Sequence, residues 1–369
     1  MTTLPRPTPG TGDLGPPPDG VVAGYPRPPL SRLHILVVNG RKVRNPVFVI
    51  GAPSAGTEML ARAFKRTAGF HMTLGQRWVL PVVQAFARTP SLARGHPEAA
   101  ATVLRDAFAQ GWQVGPDCCL GCAPACREAG GTPGNQPCVT EQGISRYGDA
   151  SPELLYCADS LVDAFPDARL VQIVRDGRDV VAGMLADPPA LAWFRPGFVN
   201  LDAEVTHPLL GVDSAPDRSL WADASVAGKC AMRWRGTVRL MARLRTKLSP
   251  QQLVTLRYEE MIRQPLTAAR ALSEFTGAEI CPVEPQVAGS PLEPGAWRTA
   301  LTSAQAAEVE NVAGEELRRV GYGGCPGARP QAGASGSWWA KPAEGDTARR
   351  LAAASGRCQR LLVGQTGGG

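Results

Sequence analysis

The sequence predicts an α/β fold in which a parallel sheet lies between two layers of helices, and three observations carry the prediction. Val47-Phe-Val-Ile50 is an apolar run of strand length, Gly51 to Gly56 is a short glycine-bounded loop, and Met59, Leu60 and Phe64 restart the apolar pattern at helical spacing. The same succession returns at 169–174, where an apolar strand opens onto Arg175-Asp-Gly-Arg-Asp179 and a helix over 180–185. It returns again at 253–256, a short buried strand followed by Arg257-Tyr-Glu-Glu260 and a helix over 266–275. The first of these units ends its loop at a helix N-terminus, where backbone N–H groups and the helix dipole together hold a phosphate or sulfate. The expectation is a three-layer α/β parallel sheet with a P-loop-type phosphate-binding site.

At 369 residues and 44% hydrophobic, the chain is long enough to bury a full core. Residues 1–44 are rich in proline and glycine and residues 326–369 in glycine, alanine and serine, so both read as disordered segments flanking one domain over 45–325. Just before that domain an apolar run at 33–38 ending in Asn39-Gly40 predicts a small hairpin leading into the first core strand. Helices are expected after Thr57, at 79–88 and at 99–109. A cysteine-rich insertion over about 115–140 then leaves the core. Tyr147-Gly-Asp-Ala-Ser-Pro152 reads as a turn feeding a helix over 153–165, with Ser151 as N-cap and Pro152 at the first helical position. Residues 193–220 carry prolines, glycines and little periodicity, and read as a surface loop that shapes a pocket. The helix at 226–248 carries Val226, Cys230, Trp234, Val238, Met241, Leu244 and Leu248 on one stripe, with Lys229, Arg233, Arg239, Arg243 and Lys247 as a solvated basic face. A last helix spans 303–320 and stops at Gly321.

The net charge of +6 is mild and mixed with acids, and only 6% of residues are aromatic, so nucleic-acid binding is not indicated. No run approaches the roughly twenty apolar residues of a membrane span, and no apolar leader follows a basic start. The expectation is a soluble, cytoplasmic protein with no membrane partner. Ten cysteines are many for such a chain, and five lie between Cys118 and Cys138. The spacing Cys119, Cys122, Cys126, Cys138 is tolerable for a structural zinc site; thiols and disulfides are the other readings.

The phosphate loop lacks two features of a nucleoside triphosphatase. Thr57 stands where the lysine would be and Glu58 where the magnesium-binding hydroxyl would be, which disfavours ATP or GTP hydrolysis.

Together these segments resemble the sulfotransferases that use 3′-phosphoadenosine 5′-phosphosulfate. Gly51-Ala-Pro-Ser-Ala-Gly-Thr57 is similar to that family's loop for the 5′-phosphosulfate, and Leu170 to Leu185 to its 3′-phosphate strand and helix. Tyr147 to Pro152, Arg257 to Pro265, and Gly295-Ala-Trp-Arg298 through Val320-Gly-Tyr322 are similar to further runs in the same order. The resemblance implies sulfuryl transfer from 3′-phosphoadenosine 5′-phosphosulfate to a hydroxyl or amine of a small-molecule or glycan acceptor, with no catalytic metal. It implies donor contacts at Gly51, Pro53, Ser54, Ala55, Gly56, Thr57, Arg175 and Arg298. It also implies a general base near the loop, for which His71 and Asp149 are the candidates.

The chain departs from the pattern at three places. Ser54 stands where the family places a lysine or arginine, Gly183 where it places a phosphate-binding serine, and Ala150 where many members have a lysine. Lys65, Arg77, Arg146 and Arg298 are the cations that could replace the missing charge. A catalytically lapsed relative that holds the nucleotide, or merely keeps the fold as an interaction protein with the cysteine loop as its working part, is the alternative reading, and a nucleotide kinase a distant third.

Overall fold

The computed structural model describes residues 35–115, 122–130, 138–139, 143–284 and 293–323. Residues 1–34 and 324–369, which hold most of the two terminal segments expected to be disordered, lie outside those residues, as do Cys119 and most of the cysteine-rich insertion; residues 35–44, read with the first of those segments, are described and carry a hairpin.

A two-stranded hairpin of β1 (Val37–Val38) and β2 (Arg41–Lys42) turns at Asn39 and Gly40, both at positive φ, as the sequence predicts. The main sheet has five parallel strands: β3 (Val47–Gly51), β4 (Phe70–Thr73), β5 (Arg146–Asp149), β6 (Arg169–Val174) and β7 (Leu253–Arg257). Their spatial order is β4-β5-β3-β6-β7. The helices are α1 (Thr57–Arg66), α2 (Leu80–Arg88), α3 (Pro90–Gly95), α4 (Pro97–Gly111), α5 (Pro124–Gly130), α6 (Ala158–Ala164), α7 (Gly177–Leu185) and α8 (Pro188–Ala192). They continue as α9 (Ala215–Asp223), α10 (Val226–Lys247), α11 (Tyr258–Arg263), α12 (Pro265–Thr276), α13 (Trp297–Ala300) and α14 (Ser303–Arg319).

Register decides which side chains share a face. Met72, Gly148 and Val47 are partners, so Phe70 and Met72 lie on one side of the sheet, where the Phe70 ring meets Phe64 of α1 at 4.9 Å. Thr73, Asp149 and Phe48 are partners on the other side, where Phe48 packs against Phe108 of α4 at 5.2 Å and Phe165 at 5.5 Å. Helices therefore cover both faces, the three-layer arrangement expected. Val47 to Ile50 are buried because both faces are covered.

The sequence reading missed β4 and β5. Phe-His-Met-Thr and Arg-Tyr-Gly-Asp are four residues each and partly polar, with neither an apolar run nor clean alternation. They form because β3 offers β5 a strand to pair with and β5 in turn offers one to β4, a nonlocal cause.

Two other expectations are corrected. Residues 193–220 are no simple surface loop: Trp193, Leu209, Leu210 and Val212 are buried with Ala87 and Met232 in a second, small core. Gly211 turns this segment at φ 69°, pressed so closely on α10 that an added Cβ would lie 1.9 Å from the Met232 carbonyl oxygen. The basic residues of α10 are only in part a solvated face: Arg243 and Lys247 are exposed, but Arg233 and Arg239 reach buried partners. Arg233 is fully buried, donating to the Ala190 carbonyl at 3.3 Å and approaching Glu153 at 3.8 Å. Arg239 binds Glu316 of α14 at 2.8 Å and Asp213 at 3.1 Å. An arginine stem adds apolar cover while its fork finds carbonyls and carboxylates, so helical periodicity alone misplaces it.

Candidate functional site

The chain proceeds from β3 outward to β4 and back to β5, then crosses to β6 and β7 on the other side. Ligands of open α/β sheets bind at the carboxyl edge where progress reverses, and here that edge carries the loop after β3. Ser54 has φ 61° and Gly56 has φ 100°, two left-handed residues that fold the loop into a concave turn. Glycine is required at 56, where a Cβ would stand 2.6 Å from the Tyr258 ring. No side chain caps the start of α1, so its first turn presents backbone N–H groups and the positive end of the helix dipole toward the loop. The Ala55 N–H is spent inside the loop, donating to the Ala52 carbonyl at 3.1 Å. Glu58 turns away from the anion position to Arg62, one helical turn on, at 2.6 Å.

Arg175 follows β6 at the same edge. Its side chain is 1% exposed, its Nη1 donates to the Ser54 carbonyl at 2.9 Å, and its guanidinium lies 4.3 Å from the centre of the Tyr258 ring. The arginine thus ties the loop to β6 and β7, and its charge sits beneath the turn.

Asp149 ends β5 at this edge too. It is fully buried, accepting from Thr73 Oγ1 at 2.5 Å and from the Ser151 N–H at 2.7 Å. Burial pushes its carboxyl up to about 6 against the pull of those two hydrogen bonds, with a smaller upward contribution from the charge of Cys126. His71 lies two residues short of the end of β4, 3% exposed and edge-on to Tyr147 at 6.1 Å, with no hydrogen bond at either ring nitrogen. Of the two candidate bases, Asp149 stands at the edge and His71 inside the sheet.

The turn after β6 divides its charges. Arg178 pairs with Asp176 through two bonds of 2.7 and 2.9 Å. Asp179 instead reaches the later motif, accepting from the N–H groups of Gly295 at 2.7 Å and Trp297 at 2.9 Å. That tether spans more than a hundred residues, so no local pattern could show it. Arg298, beside it, is exposed and rests on the Trp297 ring at 4.8 Å. Among the other cations considered, Arg146 lies at the opposite, amino end of β5 and donates to the Gly277 carbonyl at 2.8 Å. Arg77 is exposed over the Trp78 ring at 5.2 Å.

Lys65 lies near the far end of α1, about 12 Å along its axis from the loop, and faces cysteines. Its Nζ is 3.6 Å from Cys138 Sγ, and it also hydrogen-bonds Cys126. The Cys126 thiol is drawn down to about 6 by a hydrogen bond with Cys122, against the cost of burial, and then by the Lys65 ammonium. Among the described residues no three of these groups are placed to hold a metal ion. Cys281 is disulfide-bonded, while Cys122, Cys126, Cys138, Cys157 and Cys230 are thiols.

The site also explains one departure in residue choice. An added Cβ at Gly183 in α7 would lie 2.7 Å from Ser54 Cβ, so the serine at 54 and the glycine at 183 fit each other. Gly183→Ser is expected to destabilise the protein by about 1–3 kcal/mol through overpacking. In a Ser54→Gly background that cost should fall by about 1 kcal/mol or more, because the obstructing side chain is gone. Urea unfolding of the four proteins measures both; equal costs in the two backgrounds would refute the coupling.

Residues 46–211 match the sequence model described as "Sulfotransferase family". No curated protein matches the chain at a significant level. Solved structures similar to it include the sulfotransferase domain of the Synechococcus PCC 7002 olefin synthase, 14% identical, covering 74% of this chain and 96% of that one with a TM-score of 0.40. A sulfotransferase from Alicyclobacillus acidocaldarius is 16% identical, covering 75% and 100% of the two chains with a TM-score of 0.35. A mouse sulfotransferase complexed with PAP is 13% identical, covering 78% and 91% with a TM-score of 0.36.

Proposed function

For a chain whose residues 46–211 match a model of the sulfotransferase family, we propose an enzyme that moves a sulfuryl group from 3′-phosphoadenosine 5′-phosphosulfate to a hydroxyl or amine of a small-molecule or glycan acceptor. The observation that carries the reading is the uncapped start of α1 standing beside buried Arg175 at one carboxyl edge. A dianionic phosphosulfate suits the first, and a second phosphate suits the charge of the second.

In this reading Gly51 and Gly56 let the backbone approach the donor, Pro53 and Ser54 shape the turn, and the N–H groups of Gly56 and Thr57 bind the 5′-phosphosulfate. The Thr57 hydroxyl adds a contact, and Arg298 approaches the nucleotide from the segment that Asp179 holds. The acceptor oxygen or nitrogen attacks sulfur while the bond from sulfur to the bridging oxygen breaks. The acceptor's proton passes to Asp149, and adenosine 3′,5′-bisphosphate leaves with the electron pair. Charge grows on the leaving phosphate, so the helix dipole and the Arg175 charge lower the barrier without a metal. Ser54 contributes one neutral hydrogen bond where a charge-assisted one would be roughly twice as strong.

Adenosine 3′,5′-bisphosphate at about a hundred times its dissociation constant should add about 2.7 kcal/mol of stability. For a domain of this size that is a rise in melting temperature of about 5–10 °C. Calorimetry with up to millimolar nucleotide tests it, and an unmoved transition would sink the donor site. The neutral Ser54 and missing serine at 183 favour one second reading, a protein that binds the nucleotide without turnover. A thermal shift accompanied by no sulfate transfer to a panel of phenols, alcohols, amines and glycans selects it.

A further inference from the structure

The cysteines near Lys65 take no part in the reaction above, yet they are not remote from the site. Cys126 lies in the first turn of α5, a helix that packs against α1, and its sulfur accepts a hydrogen bond from the Leu74 N–H just beyond the end of β4. Cys122 precedes α5 by two residues, and its sulfur is in hydrogen-bond contact with that of Cys126. Lys65 faces Cys126 and Cys138 from α1. Cys126 is 1% exposed, whereas Cys122 and Cys138 are half-buried, so a small oxidant can reach the rim of the cluster while its centre is shielded.

We propose that Cys122 and Cys126 form a reversible oxidation site, closing to a disulfide when the protein meets hydrogen peroxide. Two sulfurs already in hydrogen-bond contact need to close to about 2.05 Å. Cys122 lies outside the helix, so its backbone can rotate without breaking α5. The half-buried Cys122 sulfur attacks the peroxide, whose O–O bond breaks to leave a sulfenic acid and one water. The Cys126 sulfur then attacks the Cys122 sulfur, the S–S bond forms, and the departing hydroxide takes the remaining thiol proton as a second water. Two thiols and one peroxide become one disulfide and two waters; sulfur is oxidised and peroxide reduced. The Lys65 ammonium favours the attacking anion, the arrangement that makes thiols reactive. Burial pushes Cys157 and Cys230 up to about 12, in Cys230 outweighing the nearby Arg233 charge, which makes them internal controls.

The test uses the full chain, freed of reductant and treated with hydrogen peroxide, then digested with trypsin without reduction. The peptide from Asp106 to Arg127 holds Cys118, Cys119, Cys122 and Cys126, and tandem mass spectrometry places any bond within it. The expected result is a bond between Cys122 and Cys126 that dithiothreitol reverses, formed at least about tenfold faster than Cys157 or Cys230 is modified. It should vanish in Cys126→Ser and in Cys122→Ser and persist in Cys138→Ser. Full alkylation of both cysteines after peroxide would overturn the proposal. So would a bond from Cys126 to any other cysteine, or stoichiometric zinc that leaves the thiols unreactive.

Discussion

Gly211→Ala is expected to destabilise the protein by about 4 kcal/mol or more, in the range reached only when a backbone contact cannot be kept. Two penalties act together. Gly211 has φ 69°, which costs an alanine roughly 1 kcal/mol or more by itself. The new Cβ would also stand 1.9 Å from the Met232 carbonyl oxygen, which belongs to α10 and cannot retreat like the end of a side chain. The reciprocal contact is Gly236, whose Cβ would lie 2.7 Å from both Gly211 Cα and the Pro208 carbonyl oxygen. The two changes probe one contact, so the double variant should lose less than the sum of the singles. Urea unfolding measures all three; a loss under about 1 kcal/mol in Gly211→Ala would show that the turn stands off the helix.

Asp149→Asn should make the protein more stable above pH 6 and much less active. The folded carboxyl sits at about 6 and its unfolded counterpart near the ordinary 3.8, so between those values the folded state holds the extra proton. Stability therefore falls as pH rises through that window, and the full cost of the buried charge is present above it. The gap between those two values corresponds to at most about 3 kcal/mol. Asparagine avoids that cost while keeping an oxygen for the Ser151 N–H and offering an N–H to Thr73 Oγ1. The expected gain is about 2 kcal/mol at pH 8, shrinking to nothing near pH 4. Stability curves that run parallel at every pH would contradict the buried charge. If Asp149 takes the acceptor's proton, turnover drops about a hundredfold or more. Unchanged turnover would move the base elsewhere, with His71→Ala as the next variant to measure.

The layers and the phosphate loop were legible because their cause is local. Val47 to Phe64 and Arg169 to Leu185 each write strand, turn and helix in one stretch. What escaped was set by distant partners. Strands β4 and β5 exist through pairing, Arg233 is buried because α8 and the Glu153 turn meet it, and Asp179 serves residues that come more than a hundred positions later. In the candidate site the residue types were readable while their neighbours were not. The sequence placed Arg175 at the end of a strand, and its carbonyl and aromatic partners, Ser54 and Tyr258, come from two other segments.

The loop's internal bonds bear on how binding is felt. Ala55 to the Ala52 carbonyl and Arg175 to the Ser54 carbonyl hold the turn in shape through bonds within the chain itself. The conformational entropy of ordering that segment is thus lost when the chain folds, and association leaves little more to lose there. A nucleotide should meet a rigid receptor, with the Ala55 amide protected from solvent exchange about equally before and after it arrives.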